Sequence, residues 1–334
     1  MNKNNEKIIT MGEIMLRLTP PDYNKIEQAG NFLANYGGGE ANVAVSLSHF
    51  GHNYYFISKL PPNELGDGAI KHLMSHGVNT NYVVRGSSTM GIYFLESGFG
   101  GRPGKVIYNR KHSAATHMEI CDFDFNEIFK DATWFHLSGI TLALGSRTRE
   151  VALYALKKAH ENNVKVSFDF NYRSTLWSIE DAKKIYSLVM PYVNTLFASP
   201  FDLTEILNMP NNLEEGELFK EAIKKYNLDY IFGKTRKIFS STDQAMKAYV
   251  YTSSGKDETN EIEFQIYDRI GAGDAFASGV IHALLKDYNN SLYAAKFGIV
   301  NSILKQTIYG DVSIFTEKDI VEYMNNLGKS EVKR

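Results

Sequence analysis

Hydrophobic and polar positions follow two different periods along the chain. Between residues 41 and 50, positions 41, 44, 45, 47 and 50 are apolar and Gly51 follows, which is typical of a helix with one apolar face. The same spacing predicts further helices over residues 66–76, 148–162, 179–189, 213–226, 272–286, 291–307 and 317–327. Short β-rich runs predict strands over residues 8–18, 54–58, 134–137, 164–170, 195–198 and 230–233.

The order of these elements predicts the fold class. From residue 134 onward strands and helices alternate, which is typical of a mostly parallel sheet with helices on both faces. Runs at 247–252 and 261–267 resemble a hairpin at the edge of that sheet. Runs at 91–96 and 105–110 predict an earlier hairpin with a glycine-rich tip. We find no internal repeat and no linker, so we expect one α/β domain over residues 1–334 with a small β appendage.

Composition and charge exclude several classes of protein. The 334 residues include 36 Lys and Arg against 38 Asp and Glu, a net charge of −2 that gives no basic field for nucleic acid. No apolar run is long enough to span a membrane, and the polar first residues do not resemble a signal peptide, so we expect a cytoplasmic protein. The single cysteine, Cys121, has acidic neighbours that disfavour a reactive thiolate.

The strongest chemical signal is the run DRIGAGD at residues 268–274, which precedes an amphipathic helix. Glycines on both sides of Ala272 let backbone amides approach a ligand, and the positive end of the helix dipole favours an anion. Asp274 then lies beside that anion. It could accept the proton of an attacking hydroxyl during phosphoryl transfer, or it could only cap the helix. These residues alone leave both interpretations open.

This run is similar to the GAGD signature of the ribokinase or PfkB-type carbohydrate kinases. A second signature of that family lies at residues 37–44, GGGEANVA, and residues 65–68, LGDG, also resemble it. The resemblance covers nearly the whole chain. It implies a ribokinase-like three-layer α/β/α fold with a β-hairpin lid at about residues 12–36 and 90–112. It also implies ATP and Mg²⁺ as cofactors, Asp274 as the base, and a catalytic loop of Gly271, Ala272 and Gly273.

Further segments look like those of 2-dehydro-3-deoxygluconate (KDG) kinases, namely residues 168–177, 136–141, 91–94 and 106–111. The carboxylate of a sugar acid favours a guanidinium partner, and Arg110 and Arg173 supply two. Tyr93 and Tyr108 offer hydroxyls and ring faces to a polyol. The resemblance implies substrate contacts from Gly38, Asn42, Tyr93, Tyr108, Arg110, Asn171, Arg173 and Asp311.

Each of these side chains also has a structural interpretation. The two tyrosines alternate with apolar residues, which suits sheet packing or a dimer contact. Arg110 could belong to a solvated turn, and Arg173 could form an ion pair with an acidic residue near position 180. Their joint occurrence with both kinase signatures favours the functional interpretation for Arg110, Arg173 and Tyr108.

Two segments depart from the family pattern. Ser199-x-x-Asp202 stands where many members carry Asn-x-x-Glu, so we assign no metal ligand and expect Mg²⁺ to be held mainly by ATP phosphates and water. Residues 232–241 lack the second glycine of a Lys-x-Gly-x-x-Gly turn, and a solvated basic turn is the alternative there. The expected nucleotide contacts are Lys234, Arg236, Ser241, Gly271, Gly273 and Asn301.

The sequence therefore leads to one hypothesis and two rivals. The hypothesis is ATP-dependent phosphorylation of KDG at its C6 hydroxyl, with the gluconate and galactonate series both open. The first rival is a fructokinase- or ribokinase-type member of the same family, and the second is a non-catalytic sugar or nucleotide sensor. An exposed hairpin edge also favours a homodimer or a larger homo-oligomer.

Overall fold

The computed structural model describes residues 6–326, in which the β-strands form two sheets. The strands are β1 (Lys7–Met11), β2 (Met15–Thr19), β3 (Leu33–Gly37), β4 (Asn53–Leu60), β5 (Val83–Arg85), β6 (Ile92–Glu96), β7 (Lys105–Asn109), β8 (Ala132–Ser138), β9 (Lys165–Asp169), β10 (Thr195–Phe197), β11 (Tyr230–Ile238), β12 (Asp243–Thr252), β13 (Gly255–Glu258) and β14 (Ile262–Gln265). The α-helices are α1 (Gly39–His49), α2 (Glu64–Ser75), α3 (Phe125–Phe129), α4 (Gly139–Ala143), α5 (Ser146–Glu161), α6 (Ile179–Val189), α7 (Glu215–Tyr226), α8 (Ala272–Lys286), α9 (Ser291–Lys305) and α10 (Glu317–Asn325).

The larger sheet has the strand order β13-β12-β11-β10-β9-β8-β1-β4-β5, with β14 beside β12. All strands from β5 to β11 in that order run parallel, and β12 joins antiparallel. Side chains alternate between two cores, because Ile8 and Trp134 belong to one cluster and Ile9 and Phe135 to the other. Helices α5, α6 and α7 contribute to one cluster, and α1, α8 and α9 to the other, so the predicted three-layer α/β/α fold is confirmed.

The smaller sheet has the order β3-β2-β6-β7 and shows that the predicted strand over residues 8–18 is wrong. The chain leaves the large sheet after Met11, and residues 12–14 connect to β2 in the small sheet. The sequence hid this change of sheet, because the apolar residues of both strands are buried or partly buried and form one run that only Thr10, Gly12, Glu13 and Arg17 interrupt. The predicted hairpin is present as β6 and β7, with Tyr93 directly opposite Tyr108.

Other predicted boundaries also change. The strand predicted over 230–233 continues to Ile238, so Lys234 and Arg236 lie on β11, paired with β12, and not in a turn. The run at 261–267, predicted as the hairpin partner of β12, forms β14 and pairs only with the first half of β12. The second half of β12 pairs with β13, whose sequence GKDE has no apolar alternation. The last helix ends at Asn325, and the predicted end at residue 327 lies outside the described residues.

A buried arginine joins the small sheet to two distant loops. Arg17 on β2 has no exposed surface, and its two terminal nitrogens lie 2.6 Å from Asp268 and 2.7 Å from Asp311. Its Nε donates to Thr19 at 2.7 Å. Both carboxylates are buried as well, so the guanidinium neutralises charges that would otherwise be costly to bury.

Between residues 6 and 326, no helix is long and apolar enough to cross a membrane.

Replacement of this arginine tests the role of the buried cation in stability. We expect Arg17→Met to lower the free energy of unfolding by about 3–5 kcal/mol, because it removes the guanidinium that forms ion pairs with two buried carboxylates. Urea denaturation followed by circular dichroism measures the change. The matched control is Arg147→Met, since Arg147 and its partner Glu119 are both about half exposed and such pairs contribute about 0–1 kcal/mol. Equal losses in the two variants would contradict the assignment.

Candidate active site

A cavity of about 610 Å³ lies where the small sheet meets the carboxyl ends of the central parallel strands. Ligands commonly bind at this edge of an open α/β sheet. The structure brings most of the predicted site residues together there. The lining includes Gly38, Asn42, Tyr93, Tyr108, Arg110, Asn171, Arg173, Lys234, Arg236, Gly271, Ala272, Gly273, Asp274 and Asp311.

Two predicted nucleotide contacts lie outside this cavity. Asn301 has no exposed surface; its amide donates to Ala275 O at 2.8 Å, and its carbonyl accepts from Ser313 at 2.6 Å. Its side chain is fully used in the core, so the structure does not support a contact with nucleotide. Ser241 instead contacts the tip of the β6–β7 hairpin, where its Oγ donates to Arg102 O at 2.9 Å.

The loop before α8 requires glycine at its first position. Gly271 has φ of +79°, and a Cβ there would lie 1.7 Å from the backbone oxygen of Asp311. This turn starts α8 at Ala272, whose first amides have no partner within the helix. Gly273 is exposed to the cavity, and Lys234 Nζ lies 3.9 Å from where its Cβ would be. The loop therefore offers backbone donors and a cation to an anionic ligand.

Asp274 faces the cavity, and its carboxylate is held by the other family signature. The amide of Asn42 donates to Asp274 Oδ2 at 2.7 Å, while Asn42 Oδ1 accepts from Gly38 N at 3.1 Å. The N-cap of α8 is Gly271, with no side-chain cap, so the helix-capping interpretation of Asp274 is not supported.

The surroundings of Asp274 suit proton transfer at neutral pH. Burial raises the pKa of Asp274 to about 7 against the opposing hydrogen bond from Asn42, and the nearby carboxylates of Asp169, Glu40 and Asp311 raise it further. A carboxyl group with this pKa exchanges its proton near neutrality, as a general base must.

Lys234 is a cation close to the glycine loop. Burial lowers the pKa of Lys234 to about 8, and the carboxylates of Asp169 and Asp274 oppose that change. Burial likewise raises the pKa of Asp169 to about 6, with Lys234 and Arg173 acting in the opposite direction. Asp169, Lys234 and Asp274 thus form a small, half-buried network whose charges respond to one another near neutral pH.

Aromatic and guanidinium groups line the end of the cavity under the small sheet. The rings of Tyr93 and Tyr108 lie 5.7 Å apart, and the Tyr93 hydroxyl donates to Asp311. Arg110 forms an ion pair with Glu13 and lies 5.7 Å from the Tyr108 ring, so it is not in a solvated turn. Arg173 is exposed, and no ion pair links it to an acidic residue near position 180 within residues 6–326.

Sequence reasoning missed three carboxylates that line the cavity, Glu13, Glu40 and Asp169. Glu40 is buried and accepts hydrogen bonds from Ser138 Oγ at 2.8 Å and Thr141 Oγ1 at 2.6 Å. One signal could have found the other two. Glu13 follows β1 closely and Asp169 ends β9, and the carboxyl ends of parallel strands meet at one edge.

Candidate metal ligands are sparse in the part of the chain that the structure describes. No group of three or more His, Cys, Asp or Glu side chains there is arranged to hold a metal ion. Asp202 lies in the Ser199-x-x-Asp202 segment, which departs from the family pattern. It accepts hydrogen bonds from both the backbone N and the Oγ of Ser199 at 2.7 Å. One of its carboxylate oxygens is therefore used to close its own turn.

Known proteins with similar sequences and structures are carbohydrate kinases. A 2-dehydro-3-deoxygalactonokinase of Haloferax volcanii is 31% identical over 314 residues, covering 94% of this chain and 95% of the relative. A 5-dehydro-2-deoxygluconokinase of Clostridium beijerinckii is 27% identical over 332 residues, covering 97% and 93%. The crystal structure of a 2-dehydro-3-deoxygluconokinase from Thermotoga maritima superposes with a TM-score of 0.92 and 39% identity, covering 96% of this chain and 99% of that one.

The family assignment rests on the length of the match as well as on the two signatures. The chain matches the model of the pfkB family carbohydrate kinases over residues 5–299. The glycine loop, the Asn42–Asp274 contact and all of the cavity lining except Gln306 and Asp311 fall within that range. The chain therefore belongs to the pfkB family of carbohydrate kinases.

Proposed function

We propose that this kinase transfers the γ-phosphoryl group of ATP to the C6 hydroxyl of 2-dehydro-3-deoxygluconate or its galactonate epimer. The proposal rests on the position of Asp274, which lines the same cavity as the glycine loop, Arg110 and Arg173. The names of the relatives from Haloferax volcanii and Thermotoga maritima support this substrate class.

Asp274 acts as the general base in this mechanism. The C6 oxygen attacks the γ-phosphorus, its proton passes to the Asp274 carboxylate, and the bond between the γ-phosphorus and the oxygen of ADP breaks. The hydrogen bond from Asn42 holds the carboxylate in one orientation while the base is free to accept the proton on its other oxygen.

The nucleotide phosphates would lie along the glycine loop. The backbone amides at the start of α8 and the Lys234 ammonium fit a polyanion, and Arg236 lines the same cavity. Mg²⁺ bound to these phosphates would neutralise their charge. In the absence of a clustered metal site in residues 6–326, we expect phosphate and water to supply most of its ligands.

The other end of the cavity suits a sugar acid. Arg173 and Arg110 can donate to a carboxylate, and the small sheet, which we propose is the lid, covers the polyol and excludes competing water. Strand β7 is exposed at the edge of this sheet, which supports the proposal of a homo-oligomer. The soluble substrates of the proposed reaction suit a cytoplasmic enzyme.

Asp274→Asn separates catalysis from helix capping, because asparagine caps a helix as well as aspartate does. We expect kcat with KDG to fall by about 10²–10⁴-fold, with little change in KM, since the base is needed only in the transition state. A coupled ADP assay measures this. The matched control is Asp124→Asn, which alters a true helix cap at the start of α3. Near-wild-type kcat in Asp274→Asn would refute the base assignment.

The two shifted groups predict a bell-shaped pH dependence of kcat/KM. Activity should rise as pH passes about 7, where Asp274 loses its proton, and fall above about 8, where Lys234 loses its charge. Asn42→Ala should move the acidic limb upward, because it removes a hydrogen bond that favours the carboxylate. Lys234→Arg should abolish the alkaline limb, because a guanidinium stays charged. Unmoved limbs in both variants would contradict the assignment of the profile to Asp274 and Lys234.

A substrate panel tests the carboxylate site and the rival functions. We expect Arg173→Ala and Arg110→Ala each to raise KM for the sugar acid by about 10–100-fold, since each removes a charge-assisted hydrogen bond. Steady-state kinetics with KDG, its galactonate epimer, 5-dehydro-2-deoxygluconate, fructose and ribose compares them. Equal losses on neutral sugars would contradict the role, and no product with any compound would favour the sensor.

A further inference from the structure

We propose that Glu13 is a specificity-determining residue that accepts a hydrogen bond from a secondary hydroxyl of the substrate. The inference deepens the proposed function and rests on it for the substrate class. It starts from the connection between the two sheets, where Glu13 stands in the three residues that join β1 to β2.

The Glu13 carboxylate is buried but incompletely satisfied. The residue is 3% exposed and lines the cavity, and one oxygen, Oε2, pairs with Arg110. Its other oxygen, Oε1, receives no hydrogen bond from residues 6–326. The Nε hydrogen of Arg110 likewise has no acceptor among these residues. Unpaired buried groups of this kind are rare and costly, which indicates that a ligand completes them.

The chain is shaped to keep this carboxylate in place. A Cβ on Gly38 would lie 1.9 Å from the backbone oxygen of Glu13, and a Cβ on Gly91 would lie 2.5 Å from its Oε1. Any side chain at either glycine would displace Glu13. One glycine therefore makes room for the backbone of Glu13, and the other makes room for its carboxylate.

The chemistry of the orphan atoms selects a hydroxyl. Oε1 needs a donor and the Arg110 Nε needs an acceptor, and a hydroxyl is both at once. A carboxylate can only accept, and it would be repelled by Glu13. Glu13 therefore accepts a hydrogen bond from a hydroxyl of the polyol segment. Arg173 and the remaining N–H groups of Arg110 bind the carboxylate of the substrate.

Analogues of the substrate that lack the C4 or the C5 hydroxyl test this reading. For the wild type, we expect kcat/KM to fall by about 10–100-fold with one of the two analogues. Glu13→Ala should lower kcat/KM for the parent compound by a similar factor and cause no further loss with that analogue. Glu13→Gln, which keeps a carbonyl acceptor but no charge, should retain most of the discrimination.

Glu96→Ala is the matched control. Glu96 is a buried carboxylate of the small sheet that pairs with Arg102 at 2.9 Å and does not line the cavity, so its loss should leave the discrimination ratio unchanged. One common loss in Glu13→Ala for the parent and both analogues would overturn the proposal, because Glu13 would then only hold Arg110.

The proposed function and the inference fail in distinguishable ways. If the wild type phosphorylates a neutral sugar and no sugar acid, the substrate class is wrong. The same comparison with deoxy analogues of that sugar then tests Glu13. Calorimetric binding of each compound to wild type and Glu13→Ala repeats the comparison without turnover, and an unchanged ratio of dissociation constants would overturn the inference.

Discussion

The buried guanidinium of Arg17 is the interaction on which the geometry of the site depends. It binds Asp268 and Asp311, which come from loops more than 200 residues away in sequence. Asp268 also accepts from the backbone amides of Ile270 and Gly310, so one carboxylate orders the start of the catalytic loop and the loop after α9. Because Gly271 packs against the Asp311 backbone, the position of α8, and hence of Asp274, follows from this cluster.

The sequence predicted the fold and most of the cavity because both depend on local patterns. Alternating strands and helices define the layers, and two glycine signatures mark the catalytic loop and the turn that faces it. The Asn42–Asp274 contact, across 232 positions, explains why the signatures occur together. Arg17 could not be placed in this way, because a charged residue inside a largely apolar run gives no sign of a distant buried partner. Glu13 could have been placed, because it follows β1 at the edge of the sheet where the cavity lies. Asn301 was misassigned for the converse reason, since its polar side chain is satisfied within the core.

Burial of charge by the two sheets sets the electrostatics of the cavity. Enclosure moves the pKa values of Asp274, Asp169 and Lys234 toward neutrality from opposite sides. A carboxylate and an ammonium in one low-dielectric space each limit the shift of the other. Asp274 and Lys234 can thus each gain or lose charge near neutral pH. This suits the proposed binding of a nucleotide polyanion next to the Asp274 carboxylate.

The contact between Ser241 and the hairpin tip has a thermodynamic consequence. Ser241 donates through its backbone to Gly100 O at 2.8 Å and through its side chain to Arg102 O, and it follows the strand that carries Lys234 and Arg236. Two hydrogen bonds from Ser241 therefore join the tip of the small sheet to the turn after β11. If the sugar acid and the nucleotide bind as proposed, any opening of the tip that breaks these bonds contributes to the binding free energies of both ligands. By linkage, the factor by which bound sugar acid changes the affinity for nucleotide must then equal the factor by which bound nucleotide changes the affinity for sugar acid.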